Sequence, residues 1–238
     1  MDLKETDILG EKIGRHWYYR SKAKAIEHLL GEVNISTILD VGAGSGFFSK
    51  HLLANSTAKD AWCVDISYDR DSDTTESGKL LHFRRCVDAV NADLVLLMDI
   101  LEHVDDDIGL LKNYVGKVPR GTLFLISVPA FQFLWSGHDI FLEHKRRYKL
   151  SQLESVVKSA GLTIKHGTYY FGAVFPIAAA IRLVGNLFYK ETHPHNSQLK
   201  QHHPVVNETL AALSQAELPL IKHNRFAGLT VFCLAESR

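Results

Sequence analysis

The chain has no excess of either charge. Its 238 residues carry 27 Lys plus Arg against 27 Asp plus Glu, a formal net charge of zero. Without a global positive field it lacks the footprint of a general nucleic-acid binder. Cysteine is scarce too. Cys63, Cys86 and Cys233 are odd in number, scattered and without CxxC spacing. That argues against a disulfide framework or a cysteine-built zinc site, and a reducing, cytoplasmic setting is expected. Long hydrophobic runs are missing. The opening MDLKETDILGEK has no apolar core of a signal peptide. The longest uncharged run, 167–181, spans 15 residues and is broken by Gly172 and Pro176. A spanning helix needs roughly 20. What remains, 46% apolar and 23% charged, is the balance of a globular protein rather than a disordered one.

Elements alternate from residue 37 onward. Residues 21–30 read as a helix ended by Gly31. TILDV (37–41) is a short apolar strand, followed by GAGSG and a helix over 47–55. Strands are expected at 61–66, 80–86, 93–98, 121–128, 162–171 and 229–235. Helices are expected at 107–118, after an N-cap at Ser151 completed by Glu154, at 177–188 and near 206–215. The helix at 177–188 places Ile177, Ile181, Val184 and Phe188 on one stripe. The pattern predicts a doubly wound parallel sheet. One link is anomalous: SYDRDSDTTESGK has no apolar period, so a loop or one helical turn is expected there.

The sharpest local signal is Asp40-Val-Gly42-Ala-Gly44-Ser-Gly46, after a strand and before a helix. Glycines permit a tight turn and a close approach of backbone to ligand. A dinucleotide GxGxxG would need glycine at 47, where Phe47 stands, and no GK[ST] follows. A nicotinamide-dependent oxidoreductase is therefore the poorer rival, and a non-catalytic cofactor-binding protein is the second. Asp65 lies 19 positions after Gly46, at the end of the next strand, where an acid can accept hydrogen bonds from a ribose diol.

With these residues in place, the sequence resembles the class I S-adenosylmethionine-dependent methyltransferases. ILDVGAGSGFFSKHL is similar to their first motif and VDIS to their acidic second motif. LVLLMDILEHVDDD resembles the fourth strand and loop of a ubiquinone-biosynthesis-like branch. SVPAFQFLWSGHDIFLEHKRRY and HWYYRSKAK are similar to segments of a subgroup of bacterial methyltransferases. The resemblance implies an α/β, doubly wound Rossmann-like sheet of seven strands, mostly parallel with an antiparallel last strand. It implies one methyltransferase domain over 1–238, with an N-terminal helical segment (1–33) and a cofactor-binding half (34–128). A substrate-side half (129–238) would contain a lid (129–150) and an apolar helix (172–189).

The cofactor implied is S-adenosyl-L-methionine, released as S-adenosyl-L-homocysteine. Gly42, Gly44 and Gly46 would line its methionine part. Asp40 would brace the loop or meet the amino group. Asp65 would hold the ribose and Ile66 would pack on adenine, with Cys86, Val87 or Asp88 on the far side. Met98 and Asp99 would sit near the sulfonium. Trp17, Tyr18 and Arg20 would close over the cofactor, or merely pack the N-terminal helix.

Transfer to a hydroxyl is helped by a base, for which histidine is suited. His103 follows the fourth strand, at the edge where open sheets bind ligands. His138 and His144 lie in a long aromatic segment after the fifth strand. There Trp135, Asp139, Arg147 and Tyr148 are candidates for acceptor contact, with Arg147 clamping an anion. The other reading is a scaffold loop tied to the sheet by Arg and Tyr. Residues 143–149 carry four cations and one anion, a solvated face or anion contact rather than a nucleic-acid patch. His193, His195, His202 and His203 match no ligand spacing, and no metal site is expected. The acceptor would be a small molecule or lipid-linked, with O-methylation the expected reaction. The apolar helix would cover the sheet, line an acceptor pocket or touch a bilayer surface.

Overall fold

The computed structural model describes residues 10–188 and 203–238. Among these, eight strands form one sheet: β1 (Thr37–Val41), β2 (Asp60–Val64), β3 (Ser72–Glu76), β4 (Lys79–Arg84), β5 (Leu94–Met98), β6 (Leu123–Pro129), β7 (Thr163–Tyr170) and β8 (Thr230–Glu236). Their order is β3-β4-β2-β1-β5-β6-β8-β7. The run β4-β2-β1-β5-β6 is parallel, whereas β3 and β8 run against their neighbours. The helices are α1 (Trp17–Leu30), α2 (Phe47–Asn55), α3 (Asp107–Val115), α4 (Gly137–Phe141), α5 (Leu150–Ser159), α6 (Phe175–Phe188) and α7 (Pro204–Ala216).

The apolar runs of the central strands are explained by cover on both faces. Leu94, Leu96 and Met98 of β5 join Ile38, Leu53 and Ile26 on the side of α1 and α2. Val95 and Leu97 join Leu39, Leu111 and Leu153 on the side of α3 and α5. Successive strand residues point to opposite faces, so one short run fills two cores.

Three expectations need correction. The sheet has eight strands rather than seven, because the polar link after β2 is neither loop nor helix. It pairs back on itself as β3, through the two-residue turn Ser77-Gly78, with φ of 52° and 74°. Positive φ at both positions suits a type I′ turn. The strand is solvent-exposed at the sheet edge, so no apolar alternation marks it; Asp73 pairs across it with His82 (2.7 Å) and Arg84 (2.7 Å). Second, α5 starts two residues earlier, with Lys149 rather than Ser151 as N-cap; its N–H donates to Gln152 Oε1 at 2.8 Å. Glu154 instead accepts from Arg225 at 2.8 Å. Third, the stripe of α6 faces outward: Ile177 is 60% and Ile181 67% exposed, and Val184 is exposed as well. Phe175 and Arg182 supply the contacts on the other side. Phe175 packs on Phe131 (centroids 5.5 Å), and Arg182 donates to Leu134 O (3.1 Å). The side chain of Phe188, with His193, His195 and His202, lies outside the described residues.

Candidate active site

The glycine turn occupies the C-terminal end of β1. Gly42, Gly44 and Gly46 all have positive φ, at 66°, 53° and 71°. A Cβ at Gly42 would fall 2.0 Å from Ile100 Cδ1, so the turn lies hard against the residues that follow β5. Asp65 reaches back to this turn. Its Oδ2 accepts from Gly44 N at 3.0 Å, and its Oδ1 from Ser67 N at 3.0 Å. Tyr68 OH closes the loop by donating to Gly44 O at 2.6 Å. Ser67 Oγ donates to Asp65 Oδ1 as well. A carboxylate has about four acceptor positions, so these three bonds leave room, on Oδ2, for one hydroxyl. Ile66, 84% exposed, stands beside it as an open apolar surface. Asp40 is buried and accepts from Ser49 Oγ at 2.8 Å. Burial pushes its carboxyl up to about 6. Of its two expected roles, the structure supports bracing, between β1 and α2.

One strand over, Met98 is buried beneath the edge, with Ser127 Oγ 3.5 Å from its sulfur. Asp99 turns out at the edge with φ of 55°. Its carboxylate pairs with Lys22 Nζ and accepts from Tyr18 OH (3.3 Å) and Ser127 Oγ (3.1 Å). Burial opposes its charge, but the Lys22 ammonium holds it below the usual carboxylate range. Tyr18 was expected near the cofactor, whereas Lys22 was not among the expected site residues. The available signal was their i, i+4 spacing, which puts a lysine in line with apolar Ile26 on the buried face of α1.

The turn Leu101–His103 follows, and here two of the three candidate histidines meet. The rings of His103 and His144 lie 4.8 Å apart, edge to face. His144 Nδ1 is 2.9 Å from Asp139 Oδ1; since a carboxylate only accepts, that nitrogen carries the proton. Lys145 N donates to Glu102 O at 2.7 Å and fixes the two segments together. Burial lowers His103 to about 4, so it is neutral near pH 7. Beside it Glu102 is fully buried with neither carboxylate oxygen hydrogen-bonded. Burial and the Asp99 charge push it well above the usual carboxylate range.

Comparison with known proteins fits this geometry. The profile of the family described as "Methyltransferase domain" matches residues 15–166. The chain belongs to this methyltransferase-domain family. A search of curated proteins finds no match. Solved structures share the fold. A chain from Haloferax volcanii in complex with the Trm112 methyltransferase activator aligns with TM-score 0.59 at 15% identity, covering 99% of this chain and 94% of that one. A SAM-dependent methyltransferase from Archaeoglobus fulgidus gives 0.56 at 15%, with 98% of each covered. The Haemonchus contortus phosphoethanolamine N-methyltransferase 2, bound to S-adenosyl-L-methionine, gives 0.55 at 13%, covering 98% of this chain and 60% of that one.

In this methyltransferase the segment after β6 is fastened to the sheet. Phe131 N donates to Tyr148 O (2.9 Å) and Tyr148 N to Pro129 O (3.0 Å). Arg147 does not present an anion clamp. It is buried, bound two-pronged to Asp139 (Nε–Oδ1 2.7 Å, Nη2–Oδ2 3.0 Å) and to Ala130 O (3.1 Å). Burial opposes the charge of Asp139, yet the His144 hydrogen bond and the Arg147 guanidinium hold it well below the usual range. Tyr148 OH donates to Asp107 Oδ2 at 2.8 Å beneath the surface. Asp139, Arg147 and Tyr148 are thus internal fasteners, because an interior carboxylate and guanidinium need each other. Trp135 and His138 are half-buried; burial lowers His138 to about 4.

The N-terminal residues divide. Trp17 packs edge-on against Phe171 (5.4 Å) and Tyr18 (5.9 Å), and its N–H is received by Asn207 Oδ1 at 2.8 Å. Arg20 turns away from the turn of glycines to Glu208 on α7, with bonds of 2.9 and 2.8 Å. Val87 is buried, while Cys86 and Asp88 are exposed. Among the described residues no helix is long and apolar enough to cross a membrane.

Proposed function

We propose that this methyltransferase moves a methyl group from S-adenosyl-L-methionine to a hydroxyl of a small-molecule or lipid-linked acceptor. The observation that carries the reading is a convergence at one sheet edge. The Asp65-braced glycine turn and the His103–His144 pair flank Asp99 at the ends of neighbouring strands.

The residues present fit the cofactor. The glycine turn admits close backbone approach, Asp65 retains acceptor capacity for a ribose hydroxyl, and Ile66 offers a face for adenine. The bound cofactor supplies a methyl group already made electrophilic by its sulfonium. The protein has to hold the acceptor oxygen in line and keep water out. The acceptor O–H proton passes to His144, whose ring Asp139 orients through Nδ1. The imidazole–carboxylate pair suits a hydroxyl acceptor, whose O–H proton has to leave as the new bond forms. A lipid-linked acceptor is favoured by the outward stripe of α6, a helix that begins five residues after the Tyr170 end of β7.

The test is calorimetric titration with S-adenosyl-L-homocysteine, alongside methyl-label incorporation in a fractionated extract. Asp65→Ala is expected to weaken product binding by about 10–100-fold. His144→Ala is expected to abolish incorporation and leave that binding intact. Indifference of the wild type to the thioether would overturn the reading.

A further inference from the structure

We propose that Glu102, His103 and His144 form a binding site for one divalent transition-metal ion of the zinc class. One ligand-capable atom from each lies within 4.8 Å of the others. A tetrahedral ion with 2.0–2.1 Å bonds sets its donors about 3.4 Å apart, so binding draws the donors together by at most about 1.4 Å.

Three independent features point to a cation. First, Glu102 is completely buried, yet neither of its oxygens has a hydrogen-bond partner. Buried polar groups without partners are rare, and a carboxylate is among the most costly. The nearby ammonium, Lys22, is taken by Asp99. Second, His144 already has the outer partner that metal-bound histidines have. Its Nδ1 is held by Asp139 Oδ1 at 2.9 Å, which leaves Nε2 as the free donor. Asp139 is itself locked by Arg147, so the orientation does not drift. Third, the two rings meet at 4.8 Å, which brings both imidazoles to the same place as the Glu102 carboxyl.

Two imidazoles and one carboxylate make a three-ligand set with a position left over. Glu102 and the His144 ring are buried, the latter 7% exposed, and His103 is half-buried. The use of the ion rests on the proposed function; its binding does not. In that use His144 holds the ion instead of taking the proton itself: the acceptor oxygen binds the ion and loses its proton to water. The oxygen then forms the new O–CH3 bond, and sulfur keeps the electron pair of the broken S–CH3 bond.

The full chain, stripped with a chelator and dialysed, is titrated with Zn2+ by calorimetry and with Co2+ by visible absorption. One ion per chain is expected, with the intense cobalt bands of a low-symmetry N/O site. Glu102→Gln and His144→Ala are each expected to weaken binding at least 100-fold and to remove those bands, while circular dichroism shows a folded chain. A variant with His193, His195, His202 and His203 all changed to alanine is expected to bind as the wild type does. Absence of stoichiometric binding overturns the proposal, as does binding kept in Glu102→Gln or lost in the four-histidine variant. Metal binding in a protein that transfers no methyl group leaves the site standing and removes the O-methylation reading. Chelator-insensitive transfer by a chain that binds no metal does the reverse.

Discussion

Lys22 on the first long helix holds the carboxylate of Asp99 across 77 residues of chain, with its ammonium wholly buried. The bond fixes α1 over the end of β5, beside the turn of glycines and the histidine pair. Lys22→Met leaves Asp99 without its counter-charge. The expected loss is about 3 kcal/mol of unfolding free energy, read from urea denaturation. Lys22→Met with Asp99→Asn should recover part of that loss, because the orphaned charge goes too. Equal loss in the single and double variants would show that packing, not charge, is what Lys22 contributes.

The buried Asp40 sets a pH dependence of definite sign. Burial lifts its folded carboxyl to about 6 from an ordinary 3.8, so the folded chain binds the extra proton between those values. Stability is therefore expected to fall as pH rises from about 4 to about 6 and to stay level above that, by roughly 3 kcal/mol at most. The buried histidines at 103 and 138 act oppositely: neutral in the fold, they cost stability as pH drops below 6.5. Comparing Asp40→Asn with the wild type at several pH values isolates the carboxyl. A difference constant from pH 4 to 7 would contradict the assignment.

Arg147 separates two ideas of the segment after β6. A fork bound to Asp139 by two bonds is not replaced by the single ammonium of lysine. Arg147→Lys should lower the melting temperature by several degrees and leave the KM of any anionic acceptor unchanged. A raised KM at unchanged melting temperature would restore the clamp.

The outward stripe of α6 predicts attachment to vesicles. Wild-type protein should co-sediment with phospholipid vesicles, and Ile177→Glu with Ile181→Glu should stay in the supernatant while binding S-adenosyl-L-homocysteine normally. No wild-type protein in the pellet would remove the lipid-linked acceptor.

How much was legible beforehand follows from where each signal lives. The turn at Asp40–Gly46 and the acid at 65 are local: strand, glycines and helix adjoin in the chain, and the β2 end that carries Asp65 must lie beside β1 once the sheet is parallel. β3 was missed because its residues face water on both sides, so neither periodicity operates; Ser77-Gly78 was the cue that went unread. The expected apolar stripe exists, but amphipathicity tells which residues share a face and not whether anything covers it. Arg20, Arg147 and Tyr148 read as ligand contacts because charge and aromaticity look the same whether the partner is a substrate or another part of the chain. Glu102 stood unnoticed between its neighbours, since burial without a partner is a property of three dimensions.

The first N–H of α1 is received by Asn207, 190 residues downstream. A ribosome making this chain from its N-terminus releases Trp17 long before the residue that secures it. The first turn of the helix that carries Lys22 to Asp99 thus depends on a residue far along the chain. A chain cut before Asn207 lacks that anchor and keeps the ties of α1 to Asp99 and Tyr170.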